Sequence, residues 1–557
     1  NSVMEPWDGP AAICATDGNW VVAGMDRNGL RPLRYSVRDD GLLVVGSETG
    51  MVSIDEARIV EKGRVGPGES IAVNLSEGHF YHDGELRDLL SSTAPYEEWA
   101  KNITHLDDLI QPEDGETAEL DRTELRRRQL CAGFTMEELE LLLQPMVEDS
   151  KEAVGSMGDD TPLAVLSEHY RGLHHFFRQA FSQVTNPPID SLREYRVMAL
   201  NTRLGNNGNI LDEDESQTRL LQLRSPVLTN AEFDALLDYV GEAAVEIDCT
   251  FDAMGGDNAL KEAMDRIRAE AENAVRGGAI HVTLSDKKVG PDRAPIPMIL
   301  ATGGVHSHLV AESLRTFTSV NVRSAECLDT HYFAVLIGVG ATTVNAYLAQ
   351  EAIADRQRRG LFGELSFDDC VDRFVEAVNQ GLLKIMSKMG ISVISPYRGA
   401  YKFEAIGLSR TLVSEYFPGM NSRISGIGLS GLQHNALRLH ERAFGTEEVI
   451  ALPVGGLYRY RRTGEEHAFQ GEMIHMLQSA CEDDAYATYK KYSEAVQRMA
   501  PVSLRDLMEF APKQDGVPLE EVESITELRK RLVAPGISLG ALSPEAHETL
   551  SIAMNRI

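Results

Sequence analysis

The sequence predicts a multidomain chain of mixed α/β and α+β class. Strand signals at hairpin spacing fill residues 1 to about 90. Strand-like and helix-like runs alternate from about residue 257 onwards. The length, 557 residues, suffices for three or four domains of roughly 150 residues each. Hydrophobic residues make up 43% and charged residues 25%, as in ordinary globular proteins. With 54 Lys+Arg against 85 Asp+Glu, the formal charge is −31. So acidic a chain excludes wrapping of nucleic acid and disfavours anionic membrane surfaces.

In chain order, residues 11–16 and 20–25 flank the turn Asp17-Gly18-Asn19, and 31–37 and 42–45 flank Asp39-Asp40-Gly41. Residues 71–75 follow Gly66-Pro67-Gly68, completing the signature of an antiparallel sheet. Residues 96–130 are polar, with an Arg126-Arg127-Arg128 run, and read as a surface linker or crossing helix. Thr135 and Glu138 have the spacing of a capping box and open an amphipathic stretch over 136–147. A second helix is expected over 162–181, before the stiff Asn186-Pro187-Pro188.

Leu260, Ala263, Met264, Ile267, Ala271 and Val275 mark one face of a helix closed by Gly277-Gly278. Strands are then expected at 280–284, 298–301, 319–322 and 342–347, with helices at 305–315 and 329–337. Such βα repeats imply a parallel sheet, doubly wound or closed into a barrel. The window 332–349 is uncharged and nearly long enough to span a bilayer, but Gly338, Gly340 and Ala341 divide it into a buried helix, a turn and a buried strand. Further helices are expected within 365–389 and over 471–498.

Catalytic motifs are sparse. The six cysteines are scattered without a Cys-x-x-Cys, which reads as reduced, mostly buried thiols, and no leader argues for secretion. No Lys precedes a Ser or Thr, so a Walker A loop is excluded. Gly426-Ile427-Gly428-Leu429-Ser430-Gly431 matches Gly-x-Gly-x-x-Gly, but residues 419–423 do not read as the buried strand a dinucleotide site needs. His306-Ser307-His308 lacks a third ligand and is expected to begin a helix after a strand ending at Gly304. Asp212-Glu213-Asp214-Glu215 lacks the glycine and closing Glu of a calcium loop and reads as a solvated acidic loop.

Longer stretches are more specific. Met4-Glu5-Pro6-Trp7-Asp8-Gly9-Pro10-Ala11 and Met25-Asp26-Arg27-Asn28-Gly29-Leu30-Arg31-Pro32-Leu33-Arg34-Tyr35 resemble the later part of a class II glutamine amidotransferase domain. Gly155-Ser156-Met157-Gly158-Asp159-Asp160-Thr161-Pro162-Leu163-Ala164, Gln183-Val184-Thr185-Asn186-Pro187-Pro188-Ile189-Asp190, Lys384-Ile385-Met386-Ser387-Lys388-Met389-Gly390-Ile391-Ser392 and Tyr397-Arg398-Gly399-Ala400 resemble the central domain of glutamate synthase large subunits. Ser543-Pro544-Glu545-Ala546-His547-Glu548 resembles the start of that family's FMN-binding barrel.

The resemblance implies the end of an N-terminal-nucleophile-hydrolase αββα sandwich at 1–95 and a linker at 96–125. It further implies a barrel-like α/β central domain at 126–430, then a connector and the start of a (β/α)8 FMN barrel at 431–557. The implied chemistry is glutamine hydrolysis, passage of ammonia through a channel, and formation of L-glutamate from 2-oxoglutarate at a reduced flavin. The resemblance places the family's nucleophilic Cys upstream of Asn1, and Cys14, in mid-strand, does not replace it. FMN and a 3Fe–4S cluster are implied for the parent enzyme and none bound by this fragment, which is expected to be inactive alone. Implied partners are the remainder of its own chain and a small NAD(P)H-oxidising subunit or ferredoxin. An oligomeric enzyme in the cytoplasm, or in the plastid stroma if plant-type, is expected. The alternative is a non-catalytic interaction or scaffold protein built from synthase domains.

Asp26, Arg27, Asn28 and Arg31 are candidate interface residues. Gly29 allows a positive φ, Pro32 fixes the exit, and the arginines offer cations to carboxylates, either at an interface or in a structural corner. Asp159, Asp160, Thr185 and Asn186 are candidates for the channel or its interfaces. Thr and Asn on a proline-stiffened loop suit a path for neutral ammonia, and a rigid interdomain turn is the alternative. The run Gly338–Asn345 is similar to the phosphate-gripping late strands of flavin barrels, but no complete cradle is evident, so an empty scaffold is expected, with a cofactor-binding module as the alternative. Ser543 and Pro544 mark a helix start, and residues 536–542 are expected to form a strand before it.

Overall fold

The computed structural model describes residues 11–26, 29, 31–110, 120–152, 166–180, 198–206, 212, 214–445, 451–512 and 515–557. It divides into two units, Asn1–Gln497 and Arg498–Ile557.

The hairpins form where the turns require them. Strands β1 (Ala12–Thr16) and β2 (Trp20–Met25) pair antiparallel around Asp17, whose carboxylate accepts the Asn19 and Trp20 amides. Strands β3 (Arg34–Arg38), β4 (Leu43–Gly46) and β5 (Ile59–Arg64) form one antiparallel sheet in the order β4-β3-β5. With β6 (Ser70–Asn74) and β7 (His79–Tyr81), the first two strands form another in the order β1-β2-β6-β7. Ala23, Leu33, Val65 and Ile71 are the shared core of this region. Helix α1 (Asp83–Ser91) follows and buries Leu86.

The segment expected to be a linker carries structure of its own. Helix α2 (Tyr96–Ala100) leads to β8 (Thr104–His105), a short strand of a mixed sheet described below. Helix α3 (Arg122–Cys131) starts on Asp121, which accepts the Thr123 and Glu124 amides. Arg128 of the arginine run is tied to Glu124 at 2.7 Å and to the Lys287 carbonyl at 2.9 Å. The expected capping box is altered: Thr135 Oγ1 accepts from Glu137 N–H and donates to the Glu138 carboxylate. A π-helical segment, Glu138–Leu143, leads into α4 (Gln144–Asp149).

The helix expected over 162–181 is absent from its described part. Gly172 turns at φ +102°, Leu173–Phe176 is a 3-10 turn, and β9 (Phe177–Gln179) is a strand. Long-range partners override the helical pattern. His331 Nε2 donates to the His174 and Phe177 carbonyls, and the fully buried Phe177 ring meets Phe403 and Phe417 edge-on. Beyond it, β10 (Thr202–Leu204) and β11 (Leu221–Leu223) join β8 around a small leucine core that includes Phe233.

The centre is a five-stranded parallel sheet. Strand β12 (Val227–Leu228) leads to α5 (Asn230–Val240), which has a Thr229/Glu232 capping box, and then to β13 (Ala244–Asp248). After β14 (Thr250–Asp252) comes α6 (Ala259–Arg276), and all six residues of its expected apolar face are buried. Strand β15 (His281–Ser285) is followed by β16 (Arg293–Pro295), which pairs with β14.

Residues 298–301 are not a strand but the first turn of α7 (Met298–Ala311), which also contains Gly304, His306 and His308. Every residue from Met298 to Val305 is buried, so no polar face reveals the helical period. A Cβ on Gly303 would lie 2.3 Å from Phe417, so the glycines admit close neighbours. Next come β17 (Ser319–Arg323), α8 (Thr330–Gly338), β18 (Thr343–Asn345) and α9 (Tyr347–Arg358). The apolar window 332–349 is therefore a buried helix, a turn through Gly340 at φ +125°, a buried strand and the start of another helix. Among the described residues no helix is long and apolar enough to cross a membrane. The sheet order is β12-β18-β17-β15-β13, all parallel.

Helix α10 (Phe367–Met389) runs from a Ser366/Asp369 capping box to a left-handed Gly390. After α11 (Ile394–Tyr397), β19 (Phe403–Leu408), α12 (Arg410–Tyr416) and β20 (Asn421–Ile427) lead to α13 (Leu429–Phe444). The glycine motif begins inside β20, which is a largely exposed strand and not the buried one a dinucleotide site needs, in keeping with the sequence reading. The helix expected over 471–498 is two, α14 (Gly471–Glu482) and α15 (Tyr486–Arg498), separated by Asp484 at φ +47°.

The second unit holds α16 (Ile525–Arg529) and α17 (Pro544–Arg556), the latter capped by Ser543 as expected. Residues 536–542 form no strand: Ala541 N–H closes a turn on the Ser538 carbonyl. An extended segment without a hydrogen-bonded neighbour has nothing to hold it as a strand.

Candidate functional site

Parallel α/β sheets bind ligands at the carboxyl ends of their strands. Ser285 ends β15 and Asp286 follows it, Arg323, Ser324 and Glu326 end or follow β17, and Asn345 and Tyr347 end or follow β18. Asp286 Oδ2 accepts the Ala325 amide at 2.8 Å, and burial, reinforced by Glu326, pushes its carboxyl up to about 7. Glu326 Oε2 accepts the Tyr332 hydroxyl at 2.6 Å and the Met298 amide at 2.8 Å, and burial raises this carboxyl too. Tyr347 lies beside Asp286 and Arg128, although neither its hydroxyl nor Asp286 Oδ1 makes a hydrogen bond of normal geometry. Cys131, Cys249 and Cys327 are buried around these acids, and burial raises each thiol.

This end of the sheet is therefore closed by its own side chains. Its two acids are held towards the neutral form and its tyrosines fill the space above the strands. Arg128 and Lys287 stand beside Tyr347, but a flavin phosphate there would also meet the buried Asp286 and Glu326 carboxyls, and Tyr332 and Tyr347 are themselves buried at this end, so the residues present form no open phosphate cradle for FMN. No group of three or more His, Cys, Asp or Glu among the described residues is placed to hold a metal. The run Gly338–Asn345 does not form a phosphate loop after a strand either: residues 338–342 precede β18 at the amino end of the sheet, and 343–345 are β18 itself. Arg315 binds the Gly340 carbonyl and Thr342 Oγ1 there, and a Cβ on Gly340 would lie 2.2 Å from the His306 ring. His306 and His308 have separate tasks: the first accepts from Arg315 Nε, and the second meets Glu272 at 2.8 Å.

Of the candidate residues read from the sequence, Asp26 is a hinge of local structure. Its Oδ2 accepts the Ala11 amide at 3.1 Å, and its carbonyl accepts the Gly29 and Gly68 amides. Gly29 has φ +61°, and a Cβ on it would lie 2.6 Å from Pro67, so this turn packs directly on 66–68. Arg31 is exposed. Arg27, Asn28, Asp159, Asp160, Thr185 and Asn186 lie outside the described residues. Sequence reasoning missed Asp286, Glu326 and Tyr347. The available signal was a polar residue within three positions of the end of each buried strand.

The antiparallel sheets at the start and the parallel α/β core define a multidomain α/β protein, and comparison with known families defines its class further. Residues 1–99 match the model for class II glutamine amidotransferases, 127–409 that for the glutamate synthase central domain, and 467–557 that for a conserved region in glutamate synthase. The chain belongs to the glutamate synthase family. It is 64% identical to the glutamate synthase [NADPH] large chain of Azospirillum brasilense over 559 residues, covering 100% of this chain and 37% of that one. It is 38% identical to the corresponding large chain of Bacillus subtilis and 38% identical to ferredoxin-dependent glutamate synthase 2 of a Synechocystis species. Each is covered over only 36% and 37% of its length by the whole of this chain. The chain thus spans little more than a third of the length of the curated relatives it matches.

Proposed function

We propose that this chain is the interdomain scaffold and channel wall of a glutamate synthase, the enzyme that makes L-glutamate from L-glutamine and 2-oxoglutarate. The observation that carries this reading is the order of the three family matches, amidotransferase first, central domain next, synthase region last. The filled carboxyl end of the parallel sheet supports a structural rather than a cofactor-binding role for the central domain. In this reading that domain is a barrel-like relative of the flavin barrel, and residues 431–557 lead towards the barrel itself. FMN and a 3Fe–4S cluster belong to other parts of the parent enzyme. The electron donor is an NAD(P)H-oxidising subunit or ferredoxin, and the setting is the cytoplasm or plastid stroma.

Thr185 and Asn186 line the ammonia path, while Asp26, Arg27, Asn28, Arg31, Asp159 and Asp160 belong to the interfaces around it. Neutral hydroxyl and amide groups let ammonia pass without protonating it, whereas an exposed acid in the bore would trap ammonium. The test is Thr185→Leu in a complete glutamate synthase large chain containing this segment. Glutamine hydrolysis should persist while glutamate formation falls, raising the ratio of the two rates at least several-fold. An unchanged ratio would remove Thr185 from the path.

A further inference from the structure

The amino end of the parallel sheet holds a group of hydrogen-bond donors with no acid among them. His306 comes from α7, Arg315 from the turn after it, and Arg398 and Tyr401 from the segment between α11 and β19. Arg315 is bonded through all three of its nitrogens: Nε donates to His306 Nδ1 at 3.0 Å, Nη1 to the Thr318 carbonyl, and Nη2 to the Gly340 carbonyl and Thr342 Oγ1. Because His306 Nδ1 accepts that bond, its proton sits on Nε2. Nε2 faces Gly399, where the absent Cβ would lie only 2.7 Å away and where φ is +65°. The His306 and Tyr401 rings meet edge to face at 6.0 Å.

Arg398 differs from Arg315. Its Nε and Nη2 are buried and make no hydrogen bond, and the Tyr401 hydroxyl is likewise buried and unpartnered. These two guanidinium nitrogens form the edge that grips a carboxylate through two parallel bonds. No carboxylate of a described residue acts on either arginine; each is held down by burial, Arg315 to about 9 and Arg398 to about 10. Burial and both arginines hold His306 neutral, down at about 3. A buried cation without a counter-charge is costly, and unused donors beside it add to that cost. Arg398, Gly399 and Tyr401 are only half-buried as residues, so the buried donor atoms lie close beneath the surface.

We propose that Arg398, Tyr401 and His306 form a binding site for a small carboxylate anion. One carboxylate would lie along the Nε/Nη2 edge of Arg398, with the Tyr401 hydroxyl and His306 Nε2–H as further donors. The ligand class follows from the donor set: planar, anionic and rich in acceptors, with no basic group, since nothing here accepts from one. The site lies at the opposite end of the sheet from the Asp286–Glu326 group and does not depend on the ammonia path.

The test is thermal denaturation of the full 557-residue chain at constant ionic strength, titrated with succinate or with the neutral succinamide. Succinate should raise the midpoint saturably and succinamide should not. Arg398→Gln should abolish the succinate response, and without ligand it should melt at or above the wild-type midpoint because it removes an unpaired buried charge. Tyr401→Phe, which keeps the ring packing, should weaken the apparent affinity several-fold. Absence of a saturable succinate response overturns the site, as does an equal response in Arg398→Gln or a ligand-free Arg398→Gln midpoint well below wild type.

Discussion

Gly426→Ala is expected to destabilise the first unit by about 3 kcal/mol or more, read as a lowered urea midpoint. A Cβ at Gly426 would lie 2.0 Å from the Gly407 carbonyl oxygen and 2.4 Å from its carbonyl carbon. Both are backbone atoms, so no side-chain rotation relieves the clash and strands β19 and β20 must move apart. Their parallel pairing, from Glu404 with Asn421 to Leu408 with Ile427, would be broken at the point of closest approach. An added methyl at an unhindered glycine instead stabilises slightly, by about 0.4–1 kcal/mol, through the unfolded chain. The two outcomes have opposite signs, which makes the measurement decisive for the role of this motif. The glycine serves the contact between two strands, where the Gly-x-Gly-x-x-Gly spacing had raised a nucleotide loop as a candidate.

Asp286→Asn is expected to stabilise the first unit above about pH 7 and to flatten its stability profile between about pH 4 and 7. The folded carboxyl titrates near 7, above the ordinary value of 3.8, because it is buried. Between those values the folded state binds the proton and the unfolded state has lost it. Stability is thus fullest below about 4 and falls as pH rises through about 7. A shift of this size corresponds to roughly 4 kcal/mol as an upper bound. Asparagine mimics the protonated acid: it keeps an acceptor for the Ala325 amide and offers a donor beside Tyr347. Glu326, raised in the same direction, should leave part of the slope in place. Denaturant midpoints at pH 5 and pH 8 check this; a variant less stable than wild type at pH 8 would show that Asp286 is ionised and paired.

Local chemistry made some of the fold legible in the sequence. Helix α6 was legible because one side is packed and the other wet, so Leu260, Ala263, Met264, Ile267, Ala271 and Val275 stand out at helical spacing. The hairpins were legible because Asp17 and the glycines at the turns act within a few residues. Met298–Ala301 misled because burial on all sides erases the period, and no local signal distinguishes such a turn from a buried strand. Phe177–Gln179 misled for another reason. Its partners, His331 and the 403–405 segment of β19, are more than 150 residues away. Of the candidate site residues, the turn conformation of Gly29 followed from its neighbours. The Asp286–Glu326–Tyr347 group did not, because three strand ends must meet before it exists.

Closure of the carboxyl end of the parallel sheet is what separates a scaffold from a cofactor-binding module, and equilibrium binding of FMN to the full chain tests it most directly. Flavin fluorescence titrated with purified chain at micromolar concentration should show no saturable quenching. The absorbance spectrum of the chain after incubation with FMN and gel filtration should lack the flavin bands. Retention of one FMN per chain, lost on Tyr347→Ala or Asp286→Asn, would contradict a sheet end filled by Asp286, Glu326, Tyr332 and Tyr347.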